Sequence, residues 1–263
     1  MPVPPIVAEA AARFLALIDA EAPGTVEGLY VEGSVALDDF HPDSSDIDFV
    51  VVGTELPDTA VLERVHARLR AQSPRPFVDG IYLNWDDLAA GPAAVGDRPM
   101  SLQGRLTAGR HSPVTWHTLA DHGIALRGPA ISALDIWTDP AALAAWQNTN
   151  LDEYWGRGLD RAAPLFSRAG LGLLTDFGTV WTVTGVARLH YTLTNGGITS
   201  KAGAARHARN TFPERWHRLI DEALRIRLGT DRRSLYRTRL ARRRDILAYG
   251  RMVIEDAHRR YEP

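Results

Sequence analysis

Residues 33–48 run Gly33-Ser34-Val35-Ala36-Leu37-Asp38-Asp39-Phe40-His41-Pro42-Asp43-Ser44-Ser45-Asp46-Ile47-Asp48. An apolar, β-branched segment, Leu29-Tyr30-Val31, leads into Gly33-Ser34 and reads as a strand ending in a tight turn. A polar loop with Pro42, Asp43, Ser44 and Ser45 follows, then a second strand over 46–52. Period-2 alternation puts Asp46 and Asp48 on one face of that strand, and Ile47 and Phe49 on the other. Two carboxylates about 6–7 Å apart on a rigid strand can grip one or two hard divalent cations. In an otherwise apolar strand, a metal or solvent must compensate them, since a buried unpaired charge is costly. A bare Asp-x-Asp can also cap the solvated end of a strand; the glycine-serine turn upstream favours chemistry. Gly33 permits close backbone approach, and Ser34 offers a hydroxyl and an N–H to a phosphate.

The spacing Gly33-Ser34-x11-Asp46-x-Asp48 resembles the signature of the nucleotidyltransferase superfamily. There the Gly-Ser turn holds nucleoside triphosphate phosphates and Asp-x-Asp holds the metals, which implies those roles for Gly33, Ser34, Asp46 and Asp48.

Outward from this stretch, residues 6–20 carry apolar positions at helical spacing, stopped by Pro23-Gly24. Residues 58–72 form a second amphipathic pattern with Val61, Leu62, Val65 and Leu69 inside, broken by Ser73-Pro74-Arg75-Pro76. A third strand follows over 77–83, with an acid, Asp79, in its middle. Helix–strand–strand–helix–strand is the order of a compact α/β unit with a mixed sheet. In a metal-assisted attack of a hydroxyl on an α-phosphorus, Asp79 can accept the hydroxyl proton or complete the metal shell. It can also be a strand-kink residue before Gly80.

Residues 84–112 are punctuated by glycine and proline and yield no assignable element, whereas 112–129 read as a short helix running into a short strand. Beyond Pro140 the pattern is helical over 140–166, 172–195, 200–210, 213–228 and 234–260. The expected class is α+β: a nucleotidyltransferase α/β domain over 1–137, then a helical domain over 138–263 that completes the nucleotide and substrate sites.

Composition limits the alternatives. The 263 residues are 45% apolar and 24% charged, as in soluble globular chains, and contain no cysteine, which rules out disulfides, thiolate catalysis and Cys-built zinc sites. His41, His111, His117, His122 and His190 show no zinc-site spacing and read as structural. There is no signal-peptide pattern at the start and no apolar run near 18 residues, so a cytoplasmic protein without membrane association is expected. Residues 1–200 hold 13 arginines against 24 acids, a net of −11, while residues 201–263 carry a net of +9. The arginine run at 232–244 reads as a solvated helix face, and nucleic acid is not the expected partner.

Of 30 basic residues, Lys201 is the only lysine. A compact, flexible point charge differs from the planar fork of arginine, so its retention suggests a specific task. Lys201 lies at the start of a helix, where the backbone also favours anions. Arg188 sits in a helix that is apolar nearly all round (Val180, Trp181, Val183, Val186, Leu189), so it must meet a carboxylate or an anion. Both cations can converge on a triphosphate.

The segments around Arg188 and Lys201, WTVTGVARLHYTLTNGGITSKAGAARHA followed by LIDEAL, resemble the C-terminal domain of the streptomycin/spectinomycin aminoglycoside adenylyltransferases. The stretch SPVTWHTLADHGIALRGP shares that likeness. The resemblance covers most of the chain. It implies that Arg188 and Lys201 bind the nucleotide phosphates, that the co-substrate is ATP with two Mg²⁺ ions, and that AMP passes to a hydroxyl of a small cationic acceptor, an aminoglycoside. One departure is the strand carboxylate: those enzymes carry Glu where this chain has Asp79, about 1.5 Å shorter in reach. For the acceptor, Asp152, Trp155 and Asp176 are the candidates, as acids and aromatics suit ion pairing and sugar stacking, although Trp155 also suits a core position. Two other readings keep the fold: a regulatory or antitoxin-like nucleotidyltransferase acting on a protein or tRNA, and a nucleotide-binding protein without catalysis.

Overall fold

In the computed structural model, which describes residues 3–261, the chain divides into two compact units, Met1–Asp139 and Pro140–Pro263. Sequence reasoning puts the boundary at 137/138.

The first unit is built on a six-stranded mixed sheet in the order β5-β4-β3-β2-β1-β6. Its strands are β1 (Gly28–Val31), β2 (Ile47–Gly53), β3 (Val78–Asn84), β4 (Arg98–Leu102), β5 (Arg105–Gly109) and β6 (Ile124–Arg127). β2 and β3 run parallel, and the other pairings are antiparallel. A parallel pair needs a crossover, and helix α3 (Thr59–Gln72) supplies it. Alternation divides the sheet into two apolar faces. Ile47, Phe49 and Val51 pack with Val7, Phe14 and Ile18 of helix α1 (Pro5–Glu21) and with Leu62 and Val65 of α3. Val50 and Val52 pack on the opposite side with Leu88 and with Trp116 and Leu119. Leu88 belongs to helix α4 (Trp85–Ala90), and the other two to α5 (Pro113–His122).

Two features differ from the sequence expectation. The turn after β1 is a single helical turn, α2 (Gly33–Ala36). The unassigned segment 84–112 holds α4 and the β4–β5 hairpin, whose two-residue turn places both Gln103 (φ 52°) and Gly104 (φ 68°) in the left-handed region. That is the backbone a tight hairpin demands.

The second unit is helical: α6 (Pro140–Asn150), α7 (Arg157–Ala162), α8 (Arg168–Gly172), α9 (Asp176–Asn195), α10 (Lys201–Thr211), α11 (His217–Leu228) and α12 (Arg239–Arg260). A π-helical turn over Leu151–Gly156 interrupts the single helix expected over 140–166. Helix α9 is central, burying Val183, Val186 and Ala187 against Ile246, Tyr249 and Val253 of α12 and against the alanine face of α10.

The arginine run is corrected here. Arg232, Arg233, Arg237, Arg239 and Arg244 are exposed, but Arg242 is buried and reaches Asp176 at 2.7 Å and Glu222 at 2.9 Å. Arg243 donates to the carbonyls of Ala162 (2.6 Å) and Ala163 (2.7 Å) at the end of α7. Two arginines of the run are therefore internal pins, a role invisible to charge counting because their partners lie 20 to 81 residues away in sequence. Among the described residues no helix is long and apolar enough to cross a membrane.

Candidate active site

The Gly-Ser turn is formed where β1 hands over to α2. The Glu32 N–H donates to the Asp48 carbonyl (2.9 Å), keeping the chain paired with β2 up to the turn. Gly33 then adopts φ 60°, and a Cβ placed on it would lie 2.2 Å from Asp48 Oδ2. Both the backbone conformation and the space require glycine. The turn is closed by Leu37 N–H to Gly33 O (3.0 Å) and Asp39 N–H to Ser34 O (2.9 Å). Ser34 Oγ is buried and has no hydrogen-bond partner among the described residues. A buried hydroxyl lacking a partner costs stability, so its persistence points to a ligand that completes it. The following loop is held by His41 Nε2 against buried Asp39 (3.1 Å) and by His41 N–H to Ser45 Oγ (3.1 Å), a structural use for that histidine.

Asp46 stands one residue ahead of β2, partly exposed, with Arg75 at 3.6 Å. Asp48 is in β2 and is the register partner of Asp79 in β3, so these two side chains leave adjacent strands on the same face. Asp79 is 7% exposed and binds the β4–β5 turn: Oδ1 accepts from Ser101 Oγ (3.2 Å) and Gly104 N–H (2.8 Å), and Oδ2 from Gln103 N–H (2.7 Å). Three bonds occupy three of about four lone-pair sites and leave one on Oδ2.

Glu32 was not singled out by sequence reasoning. Burial first, and then the charge of Asp48, push its carboxyl up to about 8, against hydrogen bonds from Thr115 of α5 and the Gly33 N–H. Its only sequence signal is an acid placed directly before a Gly-Ser turn at the end of an apolar strand.

These residues fit a phosphate-bound divalent cation. Among the described residues no group of three or more acidic or histidine side chains is arranged to hold a metal by itself. Mg²⁺ does not need one, since it is commonly held by one or two carboxylates together with substrate phosphates. Asp46 and Asp48 supply the carboxylates, and the Ser34 hydroxyl beside the glycine cradle suits a phosphate oxygen.

In the helical unit, Arg188 is partly buried on α9, and Lys201 opens α10, whose cap is Ser200 accepting from Gly203 N–H (3.0 Å). The two helices pack together, and Lys201 Nζ lies 5.8 Å from the Trp181 ring centre, seven residues before Arg188 on α9. The three acceptor candidates are engaged within the unit. Trp155 is 7% exposed, in the core, with its ring edge against Gly185. Of the two readings of Trp155, a face for substrate and a core position, its burial supports the second. Asp152 pairs with His258 Nε2 at 2.9 Å, and Asp176 with Arg242, though the Asp176 side chain remains 61% exposed.

Residues 14–74 match the nucleotidyltransferase domain family, and residues 172–248 match the family described as aminoglycoside adenylyltransferase, C-terminal domain. No curated protein matches the chain. Among solved structures, the spectinomycin adenyltransferase AAD(9) from Enterococcus faecialis, crystallised with ATP and spectinomycin, aligns with a TM-score of 0.66. The alignment covers 92% of this chain and 98% of that one at 13% identity, a likeness of fold. The Gly-Ser turn and Asp-x-Asp strand lie in a matched nucleotidyltransferase domain, and Arg188 and Lys201 lie in a matched C-terminal domain of the aminoglycoside adenylyltransferase kind, so the chain is a nucleotidyltransferase that resembles the aminoglycoside adenylyltransferases in both halves.

Proposed function

We propose that the protein transfers AMP from Mg·ATP to a hydroxyl of a small cationic acceptor, an aminoglycoside. The observation that carries this reading is the partnerless, buried Ser34 hydroxyl beside a left-handed Gly33 pressed on Asp48. Divalent cations, when bound, would polarise the α-phosphoryl group and stabilise the departing pyrophosphate. Asp46 and Asp48 would hold them, two ions in this reading. Ser34 Oγ and the Gly33 backbone orient the outer phosphate oxygens, while Arg188 and Lys201 neutralise the triphosphate from the helical unit. Asp79 accepts the proton of the attacking hydroxyl through its remaining Oδ2 lone pair, while the β4–β5 turn fixes the carboxylate in place. Asp176, with its exposed carboxylate, and Asp152 are retained on the acceptor side.

The alternative of a protein- or tRNA-modifying enzyme draws on the arginine run, and the internal use of Arg242 and Arg243 weakens it. The test is incubation with Mg·ATP and a panel of aminoglycosides, followed by mass spectrometry. One acceptor should gain the mass of one AMP, and the gain should vanish in Asp48→Asn with the fold intact. Retained transfer in that variant would refute the metal role.

A further inference from the structure

The grip on Asp79 is itself anchored from outside the sheet. Its three donors, Ser101 Oγ and the N–H groups of Gln103 and Gly104, all belong to β4 and the turn after it. The sheet supports that turn poorly. The register of β3 with β4 runs through Ile81–Met100 and Gly80–Ser101, so residues 103 and 104 project beyond it. β5 is an edge strand paired with β4, and its Arg105, Thr107 and Ala108 are exposed. A two-stranded ribbon by itself is marginal in water. Gln103, moreover, holds a left-handed backbone (φ 52°) without being glycine, a conformation that its surroundings must enforce.

Arg70 supplies a hold on the turn. It lies in the last turn of α3, whose Leu62, Val65 and Leu69 are buried against the sheet, so its backbone is fixed to the framework. Its Nη1 donates to the Gly104 carbonyl at 2.6 Å. The stem follows the same residue: a Cβ on Gly104 would lie 3.6 Å from Arg70 Cδ and 3.6 Å from the Phe77 ring. Gly104 is thus clasped on both sides, its N–H by Asp79 and its C=O by Arg70. Close packing alone does not fix the turn, because a cavity of about 10 Å³, lined by Arg70, Phe77 and Gly104 among others, lies beside the contact. An arginine at a helix C-terminus ordinarily complements the helix dipole. Here the guanidinium belongs to a half-buried side chain and reaches a carbonyl 34 residues away, on the turn that orients a carboxylate.

We propose that Arg70 is a positioning residue for the transfer reaction: it locks the β4–β5 turn, and through that turn it aims the remaining Oδ2 lone pair of Asp79 at the acceptor hydroxyl. The assignment rests on the reading that Asp79 accepts the proton of that hydroxyl. Misplacing a reacting group by about 1 Å can cost about a hundredfold in rate, so a loosened turn is felt in the chemical step rather than in binding.

Kinetics with Mg·ATP and with spectinomycin or streptomycin, whichever wild type adenylylates, test it in Arg70→Met, Arg70→Lys, Asp79→Asn and the Arg70→Met/Asp79→Asn double variant. Methionine keeps an unbranched stem over Gly104 and removes the donor, so the fold is spared, which circular dichroism verifies. Hydrogen exchange read by mass spectrometry follows residues 101–106. Arg70→Met should exchange faster there and lose about tenfold in kcat, with both KM values within about twofold of wild type. Arg70→Lys, which keeps a donor for the carbonyl, should recover most of that loss. The double variant should be no slower than Asp79→Asn, because an arginine that acts through Asp79 then has nothing left to aim. Wild-type kcat in Arg70→Met beside a slow Asp79→Asn overturns this inference alone, as does a double variant whose losses multiply. Wild-type kcat in Asp79→Asn overturns the proton-accepting reading and this inference with it. Unchanged exchange over 101–106 in Arg70→Met overturns the positioning role whether or not either compound is adenylylated.

Discussion

A Cβ at position 33 would sit 2.2 Å from Asp48 Oδ2, so the Gly-Ser turn and the Asp48 carboxylate are built as one unit. Any side chain at 33 must displace that carboxylate, the one proposed to hold the metal.

Gly33→Ala therefore carries two costs. Holding alanine at φ 60° costs about 1–2 kcal/mol of stability. Moving Asp48 by the ångström or so that the methyl needs should lower kcat/KM by about a hundredfold or more. Thermal unfolding and steady-state kinetics read the two effects separately, and a variant with lowered Tm but wild-type turnover would show that Asp48 tolerates displacement.

Asp79 anchors the β4–β5 hairpin and, in the proposed mechanism, accepts a proton, and substitutions can divide the two. Asp79→Asn replaces one oxygen by an NH₂ that faces backbone N–H donors, so about 1–3 kcal/mol of stability should be lost. In the proton-accepting role, kcat should fall far more than ATP affinity, measured below the unfolding range. Ser101→Ala removes a hydroxyl whose one proton is shared between the Val78 carbonyl (2.9 Å) and Asp79 Oδ1 (3.2 Å), and keeps the carboxylate. It should cost about 0.5–1.5 kcal/mol and leave kcat near wild type. If both variants lose kcat in proportion to stability, Asp79 only anchors the hairpin.

How much of this was legible in the sequence follows from what is local. The Asp46-Ile47-Asp48 alternation, the apolar β1–β3 strands and the α9 stripe are short-range patterns, and they placed the sheet, the carboxylates and the helical unit. The β4–β5 hairpin escaped because it is an exposed edge with no apolar alternation, Arg105 and Thr107 facing outward, and its turn depends on Gln103 entering a left-handed conformation. The internal partners of Asp79, Asp176 and Arg242 escaped for another reason. Their partners lie 20 to 68 residues away, and no spacing rule reports such pairings. Glu32 was hidden because its carboxyl is perturbed by burial and by Asp48, both products of the fold.

Trp155 should behave as a core residue. Its Cη2 would lie 2.1 Å from a Cβ on Gly185, so Gly185→Ala overpacks α9 against the π-helical turn and should cost about 1–3 kcal/mol. Trp155→Ala should cost about 3–5 kcal/mol. Under conditions where it stays folded, its acceptor KM should rise no more than its ATP KM. A selective rise in acceptor KM would return Trp155 to the substrate surface.

Acid should strip the helical unit of its Glu222 network. Burial opposes ionisation of Glu222, but hydrogen bonds from Arg225, the Leu235 N–H, Ser234 and Arg242 hold its carboxyl down at about 2, against an ordinary value of 4.5. The folded state therefore keeps this proton off more strongly than the unfolded chain does. The stabilisation is fully present above about pH 4.5 and is lost as pH falls from there towards about 2. Glu222→Gln should lower Tm at neutral pH, since removing the charge takes the carboxylate from Arg225 and leaves Arg242 with Asp176 alone, a change of up to about 3–5 kcal/mol for a buried pair. The same variant should show a flatter decline of Tm between pH 4.5 and 2.5 than wild type, because the group that titrates there is gone. Parallel Tm–pH curves for the two proteins would mean that other carboxylates, Asp256 first among them, account for acid unfolding, since against its burial the hydrogen bonds from His190, Arg259 and Arg260 also hold it at about 2.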